Sequence, residues 1–209
     1  MAHGHTGAMT GKGPDRAATN TYRLETERLV LAVPSDEDAP SLYELVGGAD
    51  RMEMTAGLIW DGPDDISDTI GFIRQAQTES FGDGGFHWAI HDRTGQSSGT
   101  TGTTIGMIGA RPSDQPGRGD VGYWLGKPYW GQGLMSEALT AVLDLSFGEL
   151  DHEKMEAEIF TNNPRSMRLV EGLGMQREGT IRSSHLKRGR WVDSHIYGLL
   201  RDEWRARRP

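Results

Sequence analysis

Cysteine is absent from this chain of 209 residues, which excludes a disulfide framework, a thiolate zinc site and a cysteine nucleophile. Long apolar runs are also missing. No stretch approaches the roughly 18 to 20 residues that cross a bilayer, so a membrane partner is not expected. The first residues, MAHGHTGAMTGKGPDRAATN, lack the apolar core of a signal peptide, and a cytoplasmic location is expected. Positive charge is the scarcer sign: 22 Lys and Arg stand against 30 Asp and Glu, for a net charge of -8. A chain this acidic is a poor general binder of nucleic-acid phosphates and is better suited to a cationic partner. His3 and His5 are too few to hold a metal, and no metal is expected.

What remains reads as one domain. Residues 1–21 are Gly-, Ala- and Thr-rich without periodicity, a disordered tail; residues 22–209 form the domain. Arg28 to Val33 (RLVLAV) predicts a first strand, and Ser35 before Asp36, Glu37 and Asp38 predicts a helix start, stopped at Gly47-Gly48. A second helix is predicted from about Asp64 to Ser80 with Ile66, Ile70, Phe72 and Ile73 buried. FHWAIHD, TIGMIGAR and GDVGYWLG read as strands, separated by TGQSSGTTG and by a Pro/Gly turn. Leu134, Ala138, Ala141, Val142 and Leu145 recur at helical spacing. Then follow the strand KMEAEIFT, a short helix from Pro164 to Gly172, and two strands at about 177–187 and 191–200 joined at Arg188-Gly189. The interleaving predicts an α+β domain around a mixed sheet.

GYWLGKPYWGQGLMSEAL (residues 122–139) carries the most chemistry. A strand ends near Leu125, Gly131-Gln132-Gly133 form a tight loop, and an amphipathic helix begins at once. Glycines let backbone approach a ligand, and the first amides of a helix lack internal partners, so together they suit a phosphate or pyrophosphate. Gly-x-Gly by itself is also what any flexible loop needs. A Walker loop would require Gly-Lys-Ser/Thr where Gly133-Leu134-Met135 stands, and a dinucleotide fingerprint would require a small glycine-like residue at Ser136 and a βαβ unit. Downstream, Asn163-Pro164 is a good N-cap and first-turn pair, which leaves Ser166 in the first turn without a structural reason.

With these motifs in order, the sequence resembles the GNAT superfamily, and within it the RimJ/RimL-type N-acetyltransferases. LETERLVLAVPSDEDAPSLYEL resembles the Thr-x-Arg-Leu opening, residues 122–139 the coenzyme A pyrophosphate loop, Asn163 to Ser166 with Gly172 to Met175 the Asn-x-x-Ser segment, and Gly189 to Trp204 the closing hairpin. Pro128 and Ala32 depart from the wider pattern, which often has Gln or Arg at the former and Arg at the latter. The resemblance implies a GNAT fold: a mostly antiparallel sheet of about seven strands, four flanking helices, and two central parallel strands that splay apart, ending at Leu125 and Thr161. It implies a transferase (an acyltransferase) that uses acetyl-CoA as co-substrate, with pantetheine bound near Trp124 and Leu125 and the pyrophosphate on amides from Trp130 through Gly131, Gln132, Gly133, Leu134 and Met135. Asn163, Ser166 and Arg168 complete the expected cofactor contacts, and a homodimer is compatible with it.

The chemistry then assigns roles. The amine must lose a proton, the oxyanion must be stabilised and the thiolate benefits from a hydrogen bond. Ser166 is the expected donor to sulfur, by resemblance. His185 stands where RimL-like enzymes carry a glutamate and is the expected base, since imidazole titrates near neutrality; Glu158 and a water chain are its rivals. An amide near Leu125 is expected to meet the oxyanion. Twelve acids against Arg51 and Arg74 between residues 35 and 83 suggest an acidic mouth around Asp61, Asp64 and Asp65 for a cationic amine. Arg165, Arg168, Lys187, Arg188 and Arg190 are expected near the nucleotide phosphates. The acceptor is expected to be a peptide or protein N-terminus. A small amine (polyamine, amino acid or aminoglycoside) and a non-catalytic coenzyme A sensor are the alternatives.

Overall fold

The computed structural model describes residues 23–48, 50–82, 85–93 and 102–207. The expected tail with its two histidines, and all but the last residue of the Gly/Thr/Ser-rich loop, lie outside them. Eight strands form one sheet in the order β1-β2-β3-β4-β5-β6-β8-β7. They are β1 (Leu24–Glu25), β2 (Leu29–Ala32), β3 (Phe86–Asp92), β4 (Thr103–Pro112), β5 (Arg118–Leu125), β6 (Lys154–Phe160), β7 (Gln176–Lys187) and β8 (Arg190–Leu200). Every neighbouring pair is antiparallel except β5 and β6. The helices are α1 (Ala39–Gly47), α2 (Arg51–Met54), α3 (Ile66–Gly82), α4 (Leu134–Phe147), α5 (Pro164–Gly172) and α6 (Arg201–Arg207).

The strand pleat sorts side chains into two layers. On one face Leu139, Val142 and Leu143 of α4 and Val170 of α5 pack with Ile108, Met155, Ala157 and Tyr197 in the main core. On the other, Ala39 and Leu42 of α1 and Ile73 of α3 pack with Met107, and Trp124 leans on them. Burying each such large apolar side chain contributes roughly 1.5 to 3 kcal/mol.

Three expectations need correction. Eight strands stand where about seven were expected, because β1 is a two-residue strand. The short α2 and α6 add to the four expected helices. α6 follows β8 without a break and turns Arg201–Trp204 away from the hairpin; Glu203 accepts from Leu200 N–H at 2.9 Å and Trp204 Nε1 donates to Asp144 at 2.9 Å. In α3, Ile66 and Phe72 are not buried but 42% and 43% exposed. The buried stripe is Thr69, Ile73 and Ala76, at i, i+4 and i+7.

Local chemistry explains the boundaries. Asp38 accepts from Ser35 N–H at 2.7 Å and from its hydroxyl at 3.2 Å before α1. Asp65 accepts from Ser67 N–H at 2.7 Å and Asp68 accepts from Asp64 N–H at 2.8 Å at the start of α3. The β7–β8 hairpin turns at Arg188 (φ 48°) and Gly189 (φ 75°), two positive values that a tight two-residue hairpin turn requires.

A buried polar cluster crosses the sheet under α1. Thr104 Oγ1 donates to Asp38 Oδ1 at 2.5 Å and meets His91 Nδ1 at 3.2 Å. Burial holds the His91 imidazole below its ordinary value, and Asp38 offsets only part of that. Half-buried His152 is shifted the same way, again mainly by burial. The unfolded chain therefore takes up protons at about pH 6.5 that the folded chain refuses, so stability is lost as pH falls below that value. The melting temperature is expected to decline between about pH 7.5 and 5.5, with a shallower slope in His91→Asn. An unchanged slope would place the dependence on other groups.

Candidate active site

The strands β5 and β6 pair in parallel only at Arg118–Lys154, Gly119–Met155 and Asp120–Glu156. Beyond that they diverge. Gly126 N–H donates to Ile105 O at 2.8 Å, which fixes the alternation along β5: Gly122 and Trp124 bond toward β4, while Val121, Tyr123 and Leu125 turn N–H and C=O toward the gap. By the same alternation, Arg201 N–H to Glu153 O at 3.0 Å puts the backbone groups of Glu158 and Phe160 on the facing edge. Two exposed carbonyls are taken locally. Leu125 O accepts from Trp130 Nε1 at 2.5 Å, and Phe160 O from Asn163 N–H at 2.9 Å.

A cavity of about 570 Å³ occupies this gap. The loop after β5 supplies one wall. Gly131 (φ 75°) and Gly133 (φ 77°) adopt the left-handed backbone that glycine tolerates best, and α4 begins at Leu134 with Glu137 N–H the first to bond back, to Gly133 O. The N–H groups of Leu134, Met135 and Ser136 precede that first bond, and all three residues line the cavity. The α5 side adds Asn163, Arg165, Ser166 and Arg168. Arg165 lies 4.0 Å above the Trp130 ring.

Of the expected cofactor contacts, Trp124, Leu125, Trp130, Gly131, Gly133, Leu134, Met135, Asn163, Ser166 and Arg168 all line this cavity. Gln132 does not; its amide donates to Pro128 O at 2.9 Å. Trp124 contributes its side chain, because its backbone faces β4. Asn163 is the N-cap of α5, accepting from Ser166 N–H at 3.2 Å. Lys187 and Arg188 stand elsewhere. Lys187 pairs with Asp61 at 2.7 Å and donates to Trp60 O, and Arg188 donates to Thr55 Oγ1. They strap the hairpin tip to the segment between α2 and α3.

His185 lies outside the cavity lining, next to a bulge in β7 where Ser183 has φ 50°. It forms a cluster with its rival. Its Nδ1 is 2.7 Å from Ser184 Oγ and 3.4 Å from Glu158 Oε1, and Ser184 donates to Glu158. A hydroxyl has one proton. With that proton on Glu158, Ser184 accepts from Nδ1–H, which leaves Nε2 as the open basic nitrogen.

Sequence reasoning missed Tyr123, Tyr129 and Ser136, and from the resemblance it placed the stretch holding Glu53 to Leu58 beside the acceptor without naming its residues as cavity wall. Tyr123 was legible from strand period, since a residue beside Trp124 must face the opposite layer; it packs on the α4 side. Its buried hydroxyl has no hydrogen bond of normal geometry. Burial pushes the phenol well above its ordinary value, and the nearby Ser166 hydroxyl offsets that only in part. The segment 53–58 reaches the site through tertiary contacts alone and carries no local sequence signal. Arg28, part of the Thr-x-Arg-Leu opening, holds the loop in a way its motif did not foretell. Thr26 Oγ1, Arg28 N–H and Arg28 Nε donate to Glu137 at 2.5, 2.9 and 2.7 Å, and Arg28 Nη1 donates to Gln132 O at 2.9 Å. Burial alone would raise the Glu137 pKa, but these bonds outweigh it and hold the carboxyl below its usual range.

The family model for the GNAT acetyltransferase domain matches residues 28–176. The chain belongs to the GNAT acetyltransferase family. The uncharacterized N-acetyltransferase p20 of Bacillus licheniformis is 35% identical over 105 residues, which are 50% of this chain and 59% of that protein. YoaA of Bacillus subtilis, another uncharacterized N-acetyltransferase, is 28% identical over 85% of this chain and 96% of its own length. The Escherichia coli [ribosomal protein uS5]-alanine N-acetyltransferase is 32% identical over 40% of this chain and 43% of its own. Among solved structures, the microcin C7 self-immunity acetyltransferase MccE, in complex with acetyl-CoA and AMP, shares the fold at TM-score 0.73 and 19% identity, covering 84% of this chain and 93% of that one. RimL, a ribosomal L7/L12 alpha-N-protein acetyltransferase, shares it at TM-score 0.72 and 18% identity, covering 84% and 91%.

The GNAT domain is thus an acetyl-CoA-dependent N-acetyltransferase. Its cavity fits that co-substrate: open amides and two arginines suit a diphosphate, and unpaired strand edges suit an extended amide-bearing arm. Among the described residues no group of three or more histidines and acids is placed to hold a metal, and no helix is long and apolar enough to cross a membrane. Because Glu137 anchors both the loop and the start of α4, Glu137→Ala is expected to cost about 2 kcal/mol in denaturant unfolding and to weaken acetyl-CoA binding about tenfold by calorimetry. Lost stability with unchanged affinity would show that the anchor is not coupled to the loop.

Proposed function

We propose that this GNAT enzyme acetylates the primary amine of a peptide or protein N-terminus. The observation that carries the transfer reading is the cavity opened by the divergence of β5 from β6, with the amide loop at one end and the Glu158–Ser184–His185 cluster on the flanking strands. Kinship with the E. coli uS5-alanine enzyme supports a peptide acceptor. A small amine is the second reading, supported by the shared fold of MccE, an acetyltransferase of microcin C7 self-immunity.

On this reading the amides from Gly131 to Ser136, with Arg165 and Arg168, hold the diphosphate, and the gap-facing N–H and C=O of Tyr123 hold the pantetheine arm, which leaves the Leu125 N–H for the thioester. The side-chain amide of Asn163 serves the turn first and borders the arm second. The His185 imidazole, backed by Ser184 and Glu158, takes the proton from the amine, directly or through water. The amine nitrogen bonds to the thioester carbonyl carbon, the Leu125 N–H meets the oxygen as it gains charge, and the carbon–sulfur bond breaks with its electron pair on sulfur. Ser166 donates a hydrogen bond to that sulfur, the Tyr123 phenol, held protonated by burial, passes the thiolate a proton, and solvent returns one to the phenolate as His185 releases the proton taken from the amine. The products are an N-acetyl amine and the free thiol, and no covalent enzyme intermediate is required.

Thiol release and product mass, read on N-terminal peptides beside polyamines and aminoglycosides, test the acceptor class: acetylation confined to small amines would reject the peptide reading. Ser166→Ala and His185→Ala are each expected to lower kcat by roughly 10² to 10⁴. Full activity in His185→Ala would assign the base elsewhere. Tyr123→Phe is expected to leave stability unchanged or slightly raised, since it deletes a buried hydroxyl without a good partner, while lowering kcat at least tenfold; full activity would remove Tyr123 from the chemistry.

A further inference from the structure

The segment joining α2 to α3 crosses two cavities. Met54, Ala56 and Leu58 border the one already described, while Trp60, Gly62 and Pro63 border a second of about 170 Å³. Trp124 is a wall of both. The second cavity is closed elsewhere by Leu42, Val46, Met107 and Phe72, so its body is apolar. Its one carboxylate, Asp68, is occupied by the N–H groups of Asp64 and Asp65 at 2.8 and 3.4 Å. Its mouth acids are also engaged: Asp61 binds Lys187 and Arg188, and Asp64 binds Arg51. One polar group is left over. Thr69 lines the cavity, is 6% exposed, and its hydroxyl has no hydrogen-bond partner among the described residues.

We propose that this second cavity receives the side chain of the acetyl acceptor, and that the acceptor is an amine whose amine-bearing carbon carries a phenyl-sized or branched aliphatic group. The inference rests on the acetyl-transfer reading above. An apolar cavity of about 150 Å³ accommodates a benzene ring, so 170 Å³ suits a Phe, Leu or Ile side chain and is tight for an indole. The shared Trp124 wall puts such a group beside the strand edge where the thioester is proposed to lie. A buried hydroxyl without a partner is costly to leave so. Thr69 therefore supplies a polar contact at the acceptor, to an atom next to its apolar group. Lys187 and Arg188 offset the charge of Asp61 and Arg51 that of Asp64, while Asp68 keeps its charge at the cavity wall, so shape and apolar area select the acceptor's side chain.

The test uses the full chain, acetyl-CoA, and peptides that differ only in an N-terminal Ala, Leu, Phe or Trp. Leu and Phe are expected to exceed Ala in kcat/KM by about tenfold or more, with Trp below Phe. Phe72→Ala, at a half-exposed position where folding tolerates truncation, is expected to raise Trp relative to Phe about tenfold by opening the cavity. Thr69→Val is expected to lower all four by about two- to tenfold without changing their order. A flat series, an unchanged Trp-to-Phe ratio in Phe72→Ala, or acetyl-CoA binding without turnover of any of the peptides would overturn the proposal. Absence of acetyl-CoA binding by calorimetry would instead overturn the transfer reading beneath it.

Discussion

The parting of two parallel strands after three residue pairs is the constraint on which the rest of this structure depends. A sheet normally satisfies its interior backbone groups across a ladder, and leaving several unpaired in the middle of a domain is costly. Here the cost is limited by local donors. The indole of Trp130 takes the Leu125 carbonyl and the amide of Asn163 takes the Phe160 carbonyl. The groups at the end of β5 face a cavity, where a ligand with its own amides can complete them. Trp130 also carries Arg165 on its ring, so one side chain caps the strand edge and places a cation at the loop.

Two long-range straps hold the walls of that gap in position. On the loop side, Thr26 and Arg28 grip Glu137 and Gln132, so two residues beside β1 and β2 fix the start of α4 from more than 100 positions away. On the opposite side, Lys187 and Arg188 at the hairpin tip hold Trp60, Asp61 and Thr55. Lys187 is 7% exposed, and its pairing with a carboxylate and a carbonyl is what makes burial of an ammonium tolerable. The acidic stretch between α1 and α3 owes much of its composition to such local work. Asp61 and Asp64 are paired with cations, while Asp65 and Asp68 accept from Ser67, Asp64 and Asp65 at the start of α3 and keep their charge.

Where a local rule decides the outcome, the sequence was easy to read. Strand period and bounding turns located β3 to β8, the Asn163-Pro164 pair located α5, and the glycines at 131 and 133 located the loop. Ten of the eleven expected cofactor contacts line one cavity because the two motifs that carry them flank the same gap. The misreadings have a common physical origin in tertiary contacts. Ile66 is in register with the Thr69–Ile73–Ala76 stripe but is the first residue of α3, and Phe72 lies at the edge of that stripe. α6 is held by Asp144 and Phe147 of α4, partners that no local pattern names. Gln132 sits between two exposed glycines, yet its side chain is drawn to Pro128. The rivalry between Glu158 and His185 was undecidable from spacing because the β7 bulge unites them in one hydrogen-bonded cluster.

The pleat of β5 gives the proposed chemistry its direction. Tyr123 and Trp124 are neighbours in sequence and therefore project to opposite layers, Tyr123 with α4 and Trp124 with α1 and α3. A thioester laid along the edge between them would keep its sulfur beside Tyr123 and Ser166 while its carbonyl carbon stays open from the Trp124 face. The Glu158–Ser184–His185 cluster sits on strands β6 and β7, apart from Ser166 on α5, so the groups proposed to take and to give a proton come from different elements. Direct transfer needs that separation, because the amine must lose its proton on the side from which it attacks and the sulfur must gain one on the side from which it leaves. On the proposed chemistry, a single strand that loses its neighbour at Asp120 would thus supply both the backbone edge for the arm and, through its alternating side chains, the division between donor and acceptor.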